Sequence, residues 1–335
     1  MRTGSSQDVL TPYLDACIRK YHKVDAGKKH TMNWSLDGVE GLPEDGKLDL
    51  TKLGCGELSM RVRTGRNLKA FPLPGGMSKQ DRCDMENVMY TAFKDLIADA
   101  AYGGRYVSLT PGHEAKISEE EYQELVKAHI MFKDMADDPY LASAGIASDW
   151  PYGRGCYISE DKKFIVWVGE EDHLRIMCMF KGSMLNDVFD RLSNAIKMMD
   201  TKAEFAYSPT YGVVTSCPTN LGTGMRASVH IQIPKLTAGG SDAKAKEIMK
   251  PMGLSVRGMG GEHTPIGADG TVDISPSARF CISEAEIVTA LYKGISEVMA
   301  AEEAASDDGE RREVLEKRLA HVRNQMPEDE LPSAP

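Results

Sequence analysis

The sequence predicts an α+β fold, because segments of two different periodicities alternate along its 335 residues. Strands show a period of two, as in 57–64 and 225–232, where every second residue is apolar. Helices show apolar stripes at three- and four-residue spacing behind serine caps at Ser78, Ser118 and Ser283. A hydrophobic share of 41% and a charged share of 27% are those of a globular chain able to bury a large core.

Residues 1–30 carry one short helical pattern, with Leu14, Cys17 and Ile18 on a common face, then a basic stretch from Lys23 to His30. A Gly- and Asp-rich connection follows through Leu50. In 57–64 Leu58, Met60 and Val62 face one way, while Ser59, Arg61 and Arg63 face the other. Two guanidinium groups two residues apart on one strand face repel unless an anion or carboxylates lie between them. A solvated face with surface ion pairs is the bland alternative.

Ser78 with Asp81 opens a helix whose stripe is Met85, Val88, Met89, Phe93, Leu96 and Ile97. Ser118 with Glu121 opens another, carrying Tyr122, Leu125, Val126 and His129. Residues 164–168 and 174–179 form a hairpin around the acidic turn GEEDH. Its three adjacent carboxylates repel one another, so either solvent screens them or one is held for chemistry, with Arg175 close behind. Leu185, Val188, Phe189, Leu192, Ile196 and Met199 make an amphipathic helix ahead of a strand at 211–216.

After a Cys-Pro turn and several glycines, the strand at 225–232 sets Met225, Ala227, Val229 and Ile231 on one face. Arg226 and His230 lie on the other, a candidate ligand floor. A short helix at 242–250 stops at Pro251, and the glycine-rich loop 256–275 has the length and composition of a lid. Ser283 with Glu286 caps a last core helix, and an acidic break at Asp307-Asp308-Gly309 leads into a charged terminal helix. The final 326–335 reads as disordered.

A net charge of -10 argues against a general nucleic-acid surface. The central apolar run FIVWV is far too short to span a membrane, and the first ten residues lack an apolar signal core. The seven cysteines are scattered and never form a CxxC pair, which suggests reduced thiols in a cytoplasmic protein.

The block CPTNLGTGMRASVH, fourteen residues at 217–230, closely resembles the signature of the phosphagen (ATP:guanido) kinases. Further anchors of that family stand in order: SMRVRTGR at 59–66, ASDWPYGRG at 147–155, FIVWVGEEDHLR at 164–175 and VRGMGGEHT at 256–264. Together they cover most of 57 to 299 and are most like arginine kinase, without most of the N-terminal helical domain. The resemblance implies a large antiparallel sheet flanked by helices, of the glutamine synthetase/guanido kinase catalytic-domain type. It also implies boundaries: a short helical N-terminal remnant and linker at 1–45, a catalytic domain at 46–305, and a charged C-terminal helix and tail at 306–335.

The activity implied is reversible transfer of the ATP γ-phosphate to a guanidinium nitrogen, with ATP/ADP and Mg2+ bound and no metal site of protein ligands alone. No Walker A loop or protein-kinase HRD or DFG motif is present. By resemblance, Arg61, Arg63, Arg175, Arg226 and Arg257 meet the phosphates as permanently charged forks. His129 and His230 lie by the nucleotide. Ser59, Met60 and Val62, then Ala227, Ser228 and Val229, then Gly258, Met259, Gly260, Gly261 and Glu262 complete the implied nucleotide-binding set. Arg279 assists near the phosphates, and Asp273 fixes the closed loop.

A guanidinium acceptor, with a pKa above about 12, is a cation and a poor nucleophile until carboxylates orient it and take a proton. Glu171 matches the family's catalytic glutamate and Glu262 the second carboxylate of arginine kinases, which points to L-arginine as the acceptor. Glu170 is the rival base and Asp172 a supporting acid. Cys217 matches the family's reactive cysteine and is assigned to substrate binding; a small turn residue is the plain alternative. Trp150 and Trp167 read as core.

The chain departs from the family at Met259-Gly260, where Thr-Arg is usual, and at Gly169, where Asn is usual. A protein-arginine kinase and a non-catalytic nucleotide-binding interaction protein remain alternatives. Monomer and homodimer both stay open.

Overall fold

The computed structural model describes residues 5–258 and 266–323. Its strands are β1 (Leu58–Arg66), β2 (Gly104–Ser108), β3 (Gly155–Ser159), β4 (Phe164–Val168), β5 (Leu174–Gly182), β6 (Tyr207–Ser208), β7 (Gly212–Val213), β8 (Met225–Gln232), β9 (Leu254–Arg257) and β10 (Thr271–Pro276). Its helices are α1 (Ser5–His22), α2 (Lys79–Ala98), α3 (Glu119–Lys127), α4 (Pro139–Ser143), α5 (Leu185–Ala203), α6 (Ala243–Met249) and α7 (Glu284–Arg323).

Eight strands form one sheet in the order β2-β3-β4-β5-β1-β8-β10-β9, and β6 pairs with β7 apart from it. The β1–β5, β4–β5, β3–β4 and β2–β3 ladders are antiparallel, so the expected large antiparallel sheet flanked by helices is what forms. The chain divides into two compact units, Met1–Val229 with Ser275–Tyr292 and His230–Ile274 with Lys293–Pro335.

Register explains how the first unit uses its sheet. Paired residues of antiparallel strands share a face, and faces alternate along each strand. Met60, Val62 and Thr64 therefore share a face with Phe180, Cys178 and Ile176. The same face receives α5 and α2, which pack on β1, β5, β2 and β3. All six residues of the expected α5 stripe are buried. Helix α2 starts with a full capping box between Ser78 and Asp81, a feature worth about 1 kcal/mol.

The opposite face carries Val107, Cys156, Ile165 and Met177 beneath Tyr122 of α3 and the segment Met131–Met135. Trp150 and Trp167 pack against that cluster, as core residues should. By register this is also the face of Arg61, Arg63 and Arg175. One half of the face is roofed by apolar side chains, and the arginines occupy the next strands along.

Several expectations need correction. On α1 Leu14 is 52% exposed and Cys17 is exposed, while Arg19 is buried, because Arg19 reaches Asp15 and the carbonyls of Asp25 and Lys28. Ile97 is exposed; the α2 stripe turns through Arg82 and Glu86 instead, which find partners inside. The strand expected at 211–216 is reduced to Gly212–Val213. Helix α7 runs unbroken through 307–309, since an Asp or Gly inside a helix costs at most about 1 kcal/mol. The tail 326–335 lies outside the described residues. Among the described residues no helix is long and apolar enough to cross a membrane.

His173, fully buried between the acidic turn and β5, ties this face together. Its Nδ1 accepts from the Leu68 N–H at 3.0 Å, and its Nε2 lies 2.9 Å from the Pro72 carbonyl. That pairing needs a neutral ring, protonated on Nε2, and burial pushes the pKa down to about 4. The unfolded chain, with a histidine pKa near 6.5, takes up the proton first, so stability present above about pH 6.5 is lost as pH falls toward 4. Urea unfolding at pH 7 and pH 4.5 is expected to show roughly 2.5 kcal/mol of this loss in the wild type and not in His173→Asn. Equal losses in both proteins would show that the ring does not titrate this way.

Candidate active site

Strand β1 delivers Arg61 and Arg63 half-buried on one face, with Met60 and Val62 at 1% and 2% exposure on the other. Arg175 enters the same face from β5, opposite Gly65. Arg226 comes from β8, where its Nη2 donates to Ser275 Oγ at 2.9 Å. Arg279 is brought alongside by the glycines after the Cys-Pro turn. Gly222 has φ +101°, and a Cβ there would stand 2.0 Å from the Arg279 carbonyl oxygen. With no side chain in the way, the Thr223 N–H donates to that carbonyl at 2.9 Å.

Arg63, Arg175, Arg226 and Arg279 line one cavity of about 120 Å³ within the first unit. Glu170, Glu171, Asp172 and Asn220 complete its walls, over a floor of Thr64, Gly65 and Gly224. Burial, and then the charges of Arg175, Arg61, Arg226 and Arg279, push the Arg63 guanidinium down to about 9. It is still charged at neutral pH: burial strips it of solvating water, and the like charges around it add to the cost. The lowest-energy occupant of such a place is a polyanion.

The acidic wall is not uniform. Glu170 is committed to the protein: its Oε2 lies 3.0 Å from Arg175 Nη2 and accepts from the Glu171 N–H at 2.7 Å. Glu171 Oε2 is farther from Arg175, at 3.6 Å. Burial raises the Glu171 carboxyl above its ordinary range, and the charges of Asp172 and Glu170 add to this, against Arg175 and Arg63. Of the pair, Glu171 is the less tightly held by Arg175.

Arg175 is steadied from behind by Trp167, whose ring lies 5.5 Å from its guanidinium carbon. The Trp167 Nε1–H donates to the Ile130 carbonyl at 2.6 Å. His129, next in sequence to Ile130, is exposed and left-handed with φ 58°, beyond the end of α3. A non-glycine residue there costs about 1 kcal/mol.

Cys217 is half-exposed at the head of the short turn Pro218–Asn220, its Sγ 3.0 Å from Thr219 Oγ1. It does not line the cavity; Asn220, three residues on, does. Asn220 lies within the signature block, where a lone amide carries no periodicity that would mark it. Ser59 is exposed at the start of β1. Met60, Val62, Ala227 and Val229 turn their side chains into the core, which leaves only their backbone for a ligand, and Ser228 is buried too.

In the second unit, His230 Nε2 lies 3.6 Å from Asp273 Oδ1, and Asp273 is 3% exposed. Arg257 ends β9 half-exposed, with Gly258 buried after it. Met259, Gly260, Gly261 and Glu262 lie outside the described residues.

A larger cavity, about 590 Å³, opens beside β2 and α3. Its charged lining, Arg105, Lys162, Glu121, Glu124 and Glu160, is acidic in balance, with Arg105 2.7 Å from Glu121, so the positive excess belongs to the smaller arginine-lined cavity.

The family model of the ATP:guanido phosphotransferase C-terminal catalytic domain matches residues 84–305. Arginine kinase Oct f 2 of Amphioctopus fangsiao is 39% identical over 302 residues, 88% of this chain and 79% of that protein. The taurocyamine kinase of Schistosoma mansoni is 40% identical over 304 residues, 90% of this chain but 39% of that longer protein. Among solved structures, the duplicated Schistosoma mansoni taurocyamine kinase with bound transition-state analogue components superposes with a TM-score of 0.75 at 37% identity, over 90% of this chain and 40% of that one. Lombricine kinase superposes with a TM-score of 0.75 at 28% identity, over 90% and 80%. An arginine-lined cavity faced by paired glutamates thus sits on a scaffold shared with these enzymes, and the chain belongs to the ATP:guanido phosphotransferase family.

Proposed function

We propose that this chain transfers the γ-phosphoryl group of ATP reversibly to the guanidinium of free L-arginine, and so buffers ATP. The observation that carries this reading is the composition of one cavity, with Arg63, Arg175, Arg226 and Arg279 against Glu170 and Glu171. Phosphoryl transfer passes through a loose state with charge on the equatorial oxygens, and fixed guanidinium groups aimed there lower its energy. Arg61 and Arg257 extend the same role, and Ser59, His129, His230 and the backbone of 227–229 and 258–261 serve the nucleotide.

Glu171 receives the acceptor. Its raised pKa suits it to take the proton that the guanidinium nitrogen releases as the new P–N bond forms and the bond from phosphorus to the ADP oxygen breaks. Glu262 joins it as the second carboxylate holding the planar acceptor, and Cys217 tunes the acceptor side.

Among the described residues no group of three or more His, Cys, Asp or Glu is placed to hold a metal. In this reading Mg2+ is carried on the nucleotide phosphates. When bound, the ion supplies charge neutralisation on the phosphate oxygens. Free thiols at all seven cysteines accord with a cytoplasmic monomer or homodimer.

The reading is tested by incubating the protein with MgATP and, separately, arginine, taurocyamine, creatine and an arginine-rich protein, following ADP and acid-labile phosphoramidate. Product on free arginine is expected. Preference for taurocyamine would move the substrate, product on the protein alone would select a protein-arginine kinase, and nucleotide binding without product would select the interaction module. Glu171→Gln is expected to lower transfer about 10²- to 10⁴-fold with little change in ADP affinity; loss of affinity would show that Glu171 builds the nucleotide site instead. Arg63→Met is expected to weaken nucleotide binding and lower transfer by about 100-fold while raising the Tm of the unliganded protein, because repulsion is relieved. A lower Tm would mean that Arg63 is held by favourable contacts.

A further inference from the structure

We propose that Asn67 and Asp172 form a positioning unit that sets the place of the Glu171 turn relative to the Cys217 turn. The proposal rests on the reading of Glu171 as proton acceptor, but the linkage itself is geometric.

Asp172 follows Glu171 directly and is 4% exposed; Asn67, just past β1, is 1% exposed. Asp172 Oδ1 accepts from Asn67 Nδ2 at 2.7 Å and from the Ser216 backbone N–H at 2.6 Å. Asn67 Nδ2 also donates to the Val214 carbonyl at 2.9 Å, and Asn67 Oδ1 accepts from the His173 N–H at 2.8 Å. One amide and one carboxylate thus join three segments distant in sequence: the end of β1, the acidic turn, and the segment 214–216 that leads into Cys217. Glu171 is one residue from the first anchor point, and Cys217 is one residue from the last.

Gly65 leaves room for the arrangement. A Cβ on Gly65 would stand 2.6 Å from Asp172 Oδ2, closer than any real contact allows. Burial pushes the Asp172 carboxyl up, while the bonds from Ser216 and Asn67 pull it down. Both donors to Oδ1 are neutral amides, so an asparagine at 172 can accept the same bonds. An acid that took the substrate proton could not be replaced in that way.

The test compares Asp172→Asn, Asp172→Ala and Gly65→Ala by hydrogen–deuterium exchange and by kinetics. Asp172→Ala and Gly65→Ala are expected to speed exchange in 214–221, with protection of 155–168 unchanged. They are also expected to lower kcat/KM for the guanidino acceptor by about 100-fold, the scale of an ångström of misplacement. Asp172→Asn is expected to retain wild-type exchange and to recover activity relative to Asp172→Ala. Gly65→Ala removes no hydrogen-bonding group, so it serves where Asp172→Ala fails to fold. Wild-type exchange in both disruptive variants would overturn the proposal, as would an Asp172→Asn protein as inactive as Glu171→Gln with its exchange unaltered. Exchange is read without any acceptor, so a protein that phosphorylates none of the guanidino compounds would defeat the functional reading and leave this result standing.

Discussion

Like charges on one face of a sheet repel, and this protein is organised around holding them there. Arg63 feels Arg175, Arg61, Arg226 and Arg279 at once, and burial denies it the water that would screen them. Such a constellation persists only if the surrounding structure fixes it. The restraint begins with the β1–β5 register, which puts Arg63 opposite Met177 and Gly65 opposite Arg175. Trp167 backs Arg175, and the Thr223 bond to the Arg279 carbonyl fixes the backbone beside Arg279. On the proposed function, a bound polyphosphate is what relieves that repulsion.

The acidic wall follows the same logic with opposite sign. Three carboxylates in one turn are tolerable because each meets a different environment. Glu170 takes Arg175, Asp172 takes the amides of Asn67 and Ser216, and Glu171 is left raised by burial and by its neighbours. Three chemically similar residues thereby acquire separate tasks through placement alone.

Much of this was legible in the chain. Alternation in β1 put Arg61 and Arg63 on one face, and the six apolar residues of α5 all went inside, because period-two and stripe patterns directly report which side faces the core. What pattern could not reveal were polar residues whose partners are far away in sequence. Asn67 and Ser216 are 149 positions apart yet share one carboxylate oxygen, and nothing local marks either. Helix α1 failed for a related reason: Leu14 and Cys17 repeat at helical spacing, but the carbonyls that capture Arg19 decided which face turned inward. Glu262, read from its resemblance, falls outside the described residues.

We infer that the arginine-lined cavity is a phosphate site. Its most direct measurement is the thermal stability of the protein titrated separately with ADP, pyrophosphate and adenosine, each of which raises Tm only if it binds the folded state. ADP and pyrophosphate should raise Tm, with an effect that weakens as salt is added, and adenosine should have little effect. Stabilisation by adenosine without any by pyrophosphate would contradict the account.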